Sequence, residues 1–147
     1  MALFDNKTLA NIFYETADLM EIKGDDPFRI RSYRRAAEAI EGLGQSIADI
    51  ISDQKALLAI PGIGKGMCQN LQEIFKEGKL RLHSELLEKY RPTMLELLKI
   101  QGLGPKTISL IWDVFQISDL EGVEKLAREG KLRTLPRMGE KAEQKIL

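Results

Sequence analysis

Two short stretches hold the residues best suited to chemistry: Gly62-Ile63-Gly64-Lys65-Gly66 and Gly102-Leu103-Gly104-Pro105-Lys106-Thr107. Each sets two glycines around one apolar residue and follows them with a lysine. Glycine at such a turn opens backbone dihedrals closed to other residues and removes the Cβ that would hold a ligand off the main chain. The bare N–H groups, at the positive end of the helix that follows, form a site for an anion. The expected chemistry is phosphate binding by backbone, with Lys65, Lys106 and Thr107 adding side-chain contacts. Neither stretch supplies Gly-Lys-Ser/Thr with a glycine five positions before that Gly, and neither follows a strand, so neither reads as an ATP or GTP loop.

The other reactive residue types point away from catalysis. His83 and Cys68 are the only histidine and cysteine, lie far apart and have no cluster of partners, so both read as structural rather than as metal ligands or a nucleophile pair. Asp25-Asp26 stands directly before Pro27, which makes helix capping the simpler role for these carboxylates. A single cysteine excludes a disulfide scaffold. No apolar run is long enough for a signal sequence or membrane span, and the expectation is a cytoplasmic, reducing compartment. The 22 basic and 22 acidic residues cancel, but not evenly: residues 1–26 carry net −4, 27–91 net +3 and 92–147 net +1.

The elements that must position the glycine turns are helices. Apolar positions recur at three- and four-residue steps almost throughout and strict alternation is nearly absent, which predicts an all-α chain. A first helix is expected over 7–22, stopped by Gly24. A second is expected over 28–41, with Asp26 as N-cap and Pro27 at the first helical position. On it Ile30, Tyr33, Ala37 and Ile40 share the inner face, and Arg31, Arg34 and Arg35 are expected on the outer one. Shorter helices follow over 46–51 and 54–60, then one over 66–76 that Gly78 ends. Thr93-Met94-Leu95-Glu96 and Ser118-Asp119-Leu120-Glu121 fit the capping box, predicting helices closed by Gly102 and Gly130. Trp112 and Phe115, three apart, read as core; an exposed Trp112 would instead be able to stack on an unpaired base.

Aligned on the turns, the chain repeats itself: Leu57, Ile60, Gly62, Ile63, Gly64 and Leu71, then Leu97, Ile100, Gly102, Leu103, Gly104 and Ile111, then Leu132, Leu135, Arg137, Met138, Gly139 and Ile146. One isolated Gly-apolar-Gly is most often a helix C-cap. Three in register argue for one supersecondary unit used three times: helix, tight turn, helix. The third copy is the weaker, since Arg137 stands where the others have glycine; its turn is either structural or uses the arginine side chain. A site of this kind meets phosphates and not bases, so nucleic-acid binding should ignore sequence and weaken with salt.

Gly24-Asp25-Asp26-Pro27-Phe28-Arg29-Ile30-Arg31-Ser32-Tyr33-Arg34-Arg35-Ala36-Ala37, Ile60-Pro61-Gly62-Ile63-Gly64, Glu77-Gly78-Lys79-Leu80 and Gly102-Leu103-Gly104-Pro105-Lys106-Thr107 together carry a family resemblance. Over nearly its whole length the chain resembles the N-terminal region of the family-X DNA polymerases, the group of DNA polymerase beta, especially the bacterial members. The glycine turns are the helix-hairpin-helix motifs of that family. The resemblance implies two small helical subdomains: residues 1–90, binding the 5′-phosphate side of a gap, and 92–147, holding the primer-side duplex, with Tyr90-Arg91-Pro92 between them.

Arg29 and Tyr33 match family residues that meet the 5′-phosphate, and Arg35 matches a basic position. The resemblance further implies a sodium or potassium ion at each hairpin, held by the backbone carbonyls of Leu58, Ile60 and Ile63 and of Leu98, Ile100 and Leu103. Magnesium belongs to a polymerase centre that would lie beyond residue 147. The family's deoxyribose-phosphate lyase needs a lysine amine to form a Schiff base, and Asn70 occupies the matching position. Lys65 is the one lysine close by, with a phosphate contact as its simpler role, so no catalytic residue is assigned. The implied whole is a monomeric, nucleoid-associated repair protein acting on gapped or nicked duplex. A freestanding, non-enzymatic helix-hairpin-helix scaffold is the alternative, decided by whether the reading frame continues past Leu147.

Overall fold

A computed structural model describes residues 4–100, 102–136 and 138–146. The chain is all-α: among the described residues there is no strand. The contacts divide it into two compact units, one of residues up to Met20 with Asp25–Glu88, the other of Glu21–Gly24 with residues from Lys89 onward. Among the described residues no helix is long and apolar enough to cross a membrane, and no group of three His, Cys, Asp or Glu stands ready for a metal ion.

Helix α1, Asn6–Lys23, starts on Asp5, whose carboxylate accepts the Thr8 N–H at 2.8 Å. Its expected stop at Gly24 takes a definite form: φ is +84°, the Gly24 N–H reaches the Glu21 carbonyl and the Asp25 N–H the Met20 carbonyl, satisfying two carbonyls the helix leaves orphaned. The chain restarts as expected in α2, Pro27–Glu41, with the Asp26 carboxylate accepting from Phe28 N–H at 3.0 Å.

Leu9, Phe13 and Met20 of α1 and Ala36, Ala37 and Ile40 of α2 are buried, and the Phe13 and Tyr33 rings meet at 5.9 Å. Each large apolar side chain so buried contributes about 1.5–3 kcal/mol. Thr16 sits in the same apolar stripe because its hydroxyl donates to the Ile12 carbonyl at 2.6 Å. One of the three outer arginines departs from expectation. Arg34 turns back to α1 and pairs with Asp18 at 2.9 Å, half-buried, because its place on α2 lies at the edge of the packed face.

The rest of this unit is α3 (Ile47–Ile50), α4 (Gln54–Leu58), α5 (Lys65–Glu77) and α6 (Arg81–Lys89). α5 ends on Gly78 at φ +79°. α6 lies outside the individual helices expected above, although Leu82, Leu86 and Tyr90 keep the helical spacing. Its first N–H, on Arg81, is capped at 2.6 Å by the carboxylate of Glu73 in α5, a cap eight residues away that no local window contains.

The second unit holds α7 (Thr93–Leu97), α8 (Pro105–Phe115), α9 (Leu120–Arg128), a 3-10 turn at Leu132–Thr134, and α10 (Glu140–Ile146). Neither expected capping box forms. Pro92 is already helical (φ −56°, ψ −27°), so Thr93 lies inside the first turn of α7 instead of ahead of it. In α9 the cap is Asp119, accepting from Gly122 N–H at 2.8 Å, while Ser118 is buried one residue earlier. α7 also stops at Leu97, well short of Gly102; i→i+3 bonds, Lys99 N–H to Glu96 and Ile100 N–H to Leu97, carry the chain onward. Trp112 and Phe115 are half-exposed and not core, and the guanidinium of Arg91 lies 5.7 Å from the Trp112 ring centre. Arg137 lies outside the described residues, and so does any role for its side chain.

Glu143 is a charged residue placed inside this unit, 1% exposed. Its carboxylate accepts from the Arg133 backbone N–H (2.8 Å), Nε (3.1 Å) and Nη2 (2.8 Å). Arg133 holds the carboxyl below the usual glutamate range, chiefly through the side-chain hydrogen bonds. A depressed folded value means stability that is present at neutral pH and lost as pH falls through that value. Thermal unfolding of Glu143→Gln followed from pH 7 to 3 should accordingly lose the acid-dependent part of the wild-type decline; an unchanged decline would assign it to other carboxylates.

Candidate nucleic-acid interface

The two glycine turns fold to the same backbone. Gly62 and Gly102 are left-handed, at φ +99° and +96°, the region glycine enters without the Cβ penalty. Gly64 and Gly104 are ordinary extended N-caps, at φ −91° and −96°, and a Cβ at either would meet open space. Ile63 N–H bonds the Ile60 carbonyl at 3.0 Å and Leu103 N–H the Ile100 carbonyl at 3.1 Å; Cys68 then bonds Gly64 at 2.9 Å, and Ile108 bonds Gly104 at 3.0 Å. Ile63 and Leu103, 3% and 4% exposed, are the plugs between helices.

Lys65 opens α5, and Pro105 and Lys106 open α8. These helices have 13 and 11 residues, enough peptide units to present a dipole toward an anion. Lys65 and Lys106 are exposed, Thr107 is half-exposed, and among the described residues Lys65, Lys106 and Arg35 form no ion pair. Their charge is available to a ligand.

Gly62 has a second role that its dihedral alone does not require. A Cβ there would stand 3.2 Å from Ala39 Cβ, from Arg35 Cγ and from the Arg35 carbonyl oxygen, so the turn lies directly on α2. The first hairpin and the basic helix thereby share an open cleft of about 500 Å³, lined by Ser32, Arg35, Leu58, Pro61, Gly64 and Met67 among others. Ser32, Pro61 and Met67 are lining residues that the motif does not single out. The i,i+3 spacing of Ser32 and Arg35 puts them on one face of α2, but nothing in the sequence says that the face meets residue 62. At Gly102 no such contact exists; the nearest side-chain atom to a Cβ would be Ile146 Cγ1 at 3.9 Å.

The three residues matched to the 5′-phosphate divide into two groups. Arg35 belongs to the hairpin cleft. Arg29 and Tyr33 lie one turn apart on another side of α2, about 120° around the helix from Arg35 in the case of Arg29. Tyr33 is buried, and its hydroxyl accepts from Asn70 Nδ2 of α5 at 3.3 Å, uniting residues 37 apart in sequence. Asn70 also approaches Met67 Sδ at 3.7 Å. Arg29, itself exposed, pairs at 3.2 Å with both oxygens of the Asp25 carboxylate, whose side chain is 13% exposed.

Leu58 and Leu98 lie at the end of α4 and just past α7, where carbonyls have no partner within the helix. The Ile60 and Ile100 oxygens accept one turn hydrogen bond and keep a second lone pair. This donor set is chemically suited to a hard monovalent cation.

Comparison with known proteins places these units among helix-hairpin-helix proteins. Residues 4–80 match a helix-hairpin-helix domain, and residues 94–147 a SAM-like helix-hairpin-helix tandem. The chain is 31% identical over 141 residues to the DNA polymerase/3′-5′ exonuclease PolX of Bacillus subtilis, covering 96% of this chain and 24% of that protein. It is 32% identical over 131 residues to DNA polymerase lambda of Arabidopsis thaliana, covering 86% of this chain and again 24% of the relative. A weaker similarity, 25% over 99 residues, links it to the Holliday junction branch migration complex subunit RuvA of Acidovorax ebreus, covering 67% of this chain and 52% of that protein. The chain thus spans about a quarter of the polymerases it resembles.

Proposed function

The chain belongs to the helix-hairpin-helix family, in the form that the family-X DNA polymerases carry, and from that premise we propose that it grips the sugar–phosphate backbone of gapped or nicked DNA for a gap-filling repair polymerase. The observation that carries this reading is the repeated turn: two hairpins with matching dihedrals and hydrogen bonds, each opening a helix whose first residues include an unpaired lysine. Contacts of this kind fix position on DNA and carry no base information.

The first unit takes the 5′-phosphate side of the gap, with Arg35 beside the hairpin and Arg29 and Tyr33 on the adjoining side of α2. Arginine is suited to this because its guanidinium can hold two phosphate oxygens at once. The second unit holds the duplex through Gly102, Leu103, Gly104, Lys106 and Thr107. A sodium or potassium ion on the carbonyls of Leu58, Ile60 and Ile63, and another on those of Leu98, Ile100 and Leu103, would join carbonyl dipoles to a phosphate oxygen.

The 5′ side binds without cleaving. Asn70 offers an amide in place of an amine, and an amide nitrogen does not attack a sugar aldehyde. A gapped duplex carrying a 5′-phosphate is expected to bind severalfold more tightly than the same duplex ending in a 5′-hydroxyl, with Arg35→Ala narrowing the difference. Borohydride treatment with a 5′-deoxyribose-phosphate end should trap no covalent adduct. Equal affinity for the two ends would remove the 5′-phosphate assignment; an adduct lost in Lys65→Ala would make Lys65 a nucleophile.

A further inference from the structure

The third repeat keeps three backbone hydrogen bonds of the other two. Leu135 N–H bonds the Leu132 carbonyl at 3.0 Å, Met138 N–H the Leu135 carbonyl at 3.1 Å, and Glu143 N–H the Gly139 carbonyl at 3.0 Å, the same three offsets found around Gly64 and Gly104. Leu132, Leu135 and Met138 are buried like their counterparts. Among the described residues, its hydrogen bonds and apolar frame match those of the other two hairpins.

Its chemistry is inverted. Glu140 is the first residue of α10, where Lys65 opens α5. Four residues past the turn glycine, where the other copies bury Cys68 and Ile108, this copy buries Glu143. The Glu143 carboxylate is closed on Arg133 by three hydrogen bonds, and Glu140 stands 3.9 Å from the Arg133 Nη1. One arginine therefore answers two carboxylates, and Glu140 sets a carboxylate at the first residue of α10, where an anion would have to arrive. α10 has seven residues, so it presents fewer aligned peptide dipoles than α5 or α8. α10 approaches the second turn through an apolar side chain: Ile146 Cγ1 lies 3.9 Å from where a Cβ of Gly102 would stand.

We infer that the third hairpin is closed to phosphate by the Arg133–Glu140–Glu143 cluster and acts as a brace behind the second, so that this unit grips DNA at one turn and not two. The inference rests on the reading of the second hairpin as a phosphate grip. Lys106 and Lys141 test the two separately, because both are exposed and both lie two residues past their turn glycine, Gly104 and Gly139. The experiment is binding of the whole chain to a gapped duplex across a salt series.

Lys106→Ala is expected to weaken binding severalfold and to reduce the slope of log affinity against log salt by about one. Lys141→Ala is expected to change neither. A loss in Lys141→Ala equal to that in Lys106→Ala, or a similar loss in Arg137→Ala, would overturn the closure of the third hairpin. No effect in Lys106→Ala would instead remove the second hairpin from the interface, and the brace with it.

Discussion

Gly62→Ala is expected to unfold the first unit at a markedly lower temperature and to weaken DNA binding, whereas Gly102→Ala should cost the second unit much less stability. The two glycines have nearly the same left-handed dihedral, φ +99° and +96°, so alanine pays a similar backbone cost at both, about 1–2 kcal/mol. They differ in what lies beside them. At Gly62 the new methyl would press to 3.2 Å on Ala39 Cβ, Arg35 Cγ and the Arg35 carbonyl oxygen. The last of these is main chain and cannot rotate away, so the hairpin must shift from α2 by a few tenths of an ångström.

At Gly102 the closest atom, on Ile146, is at 3.9 Å, an ordinary contact. For a unit of this size each kcal/mol lowers the melting temperature by roughly 4–8 °C. The shift also moves the turn relative to Arg35 in the cleft they share, which is why affinity should fall together with stability. Thermal unfolding by circular dichroism and titration with a gapped duplex measure the two effects; Gly62→Ala behaving like Gly102→Ala would show that the contact with α2 is not needed.

That contrast also shows where the sequence was readable. Periodicity and punctuation were enough for the all-α class, for α1 and α2 with Asp26 and Gly24 at their ends, and for the hairpin register, because each signal is local: a cap and its helix, a glycine and its turn. Nothing local says that Gly62 faces Arg35, that Tyr33 meets Asn70 across 37 residues, or that Glu73 caps α6 from the preceding helix. The capping boxes at Thr93 and Ser118 misled for a related reason. A motif names residues able to cap, but the neighbouring backbone, helical already at Pro92 and capped by Asp119 instead, decides which of them does. In the third repeat the apolar frame was plain, whereas the acid that closes it was visible only once Arg133 and Glu143 came together.

The second large effect expected is a steep loss of affinity with salt. On the proposed reading four cations meet phosphates: Arg35 and Lys65 at the first hairpin, Arg29 on α2, and Lys106 at the second hairpin. Each phosphate neutralised on duplex DNA releases condensed counterions, giving a slope of log affinity on log salt of about −0.9 per contact, or about −3.6 for four. Raising salt from 50 to 200 mM should then lower affinity roughly 100-fold. The chain's net charge of zero makes the point sharper, since only a local arrangement of cations can produce such a slope. The most direct test is to titrate the chain against two gapped duplexes of unrelated base sequence over that salt range. The expected result is the same steep slope and the same affinity for both; an affinity indifferent to salt, or one that favours either sequence by more than about tenfold, would contradict a grip made on phosphates by the backbone of the glycine turns.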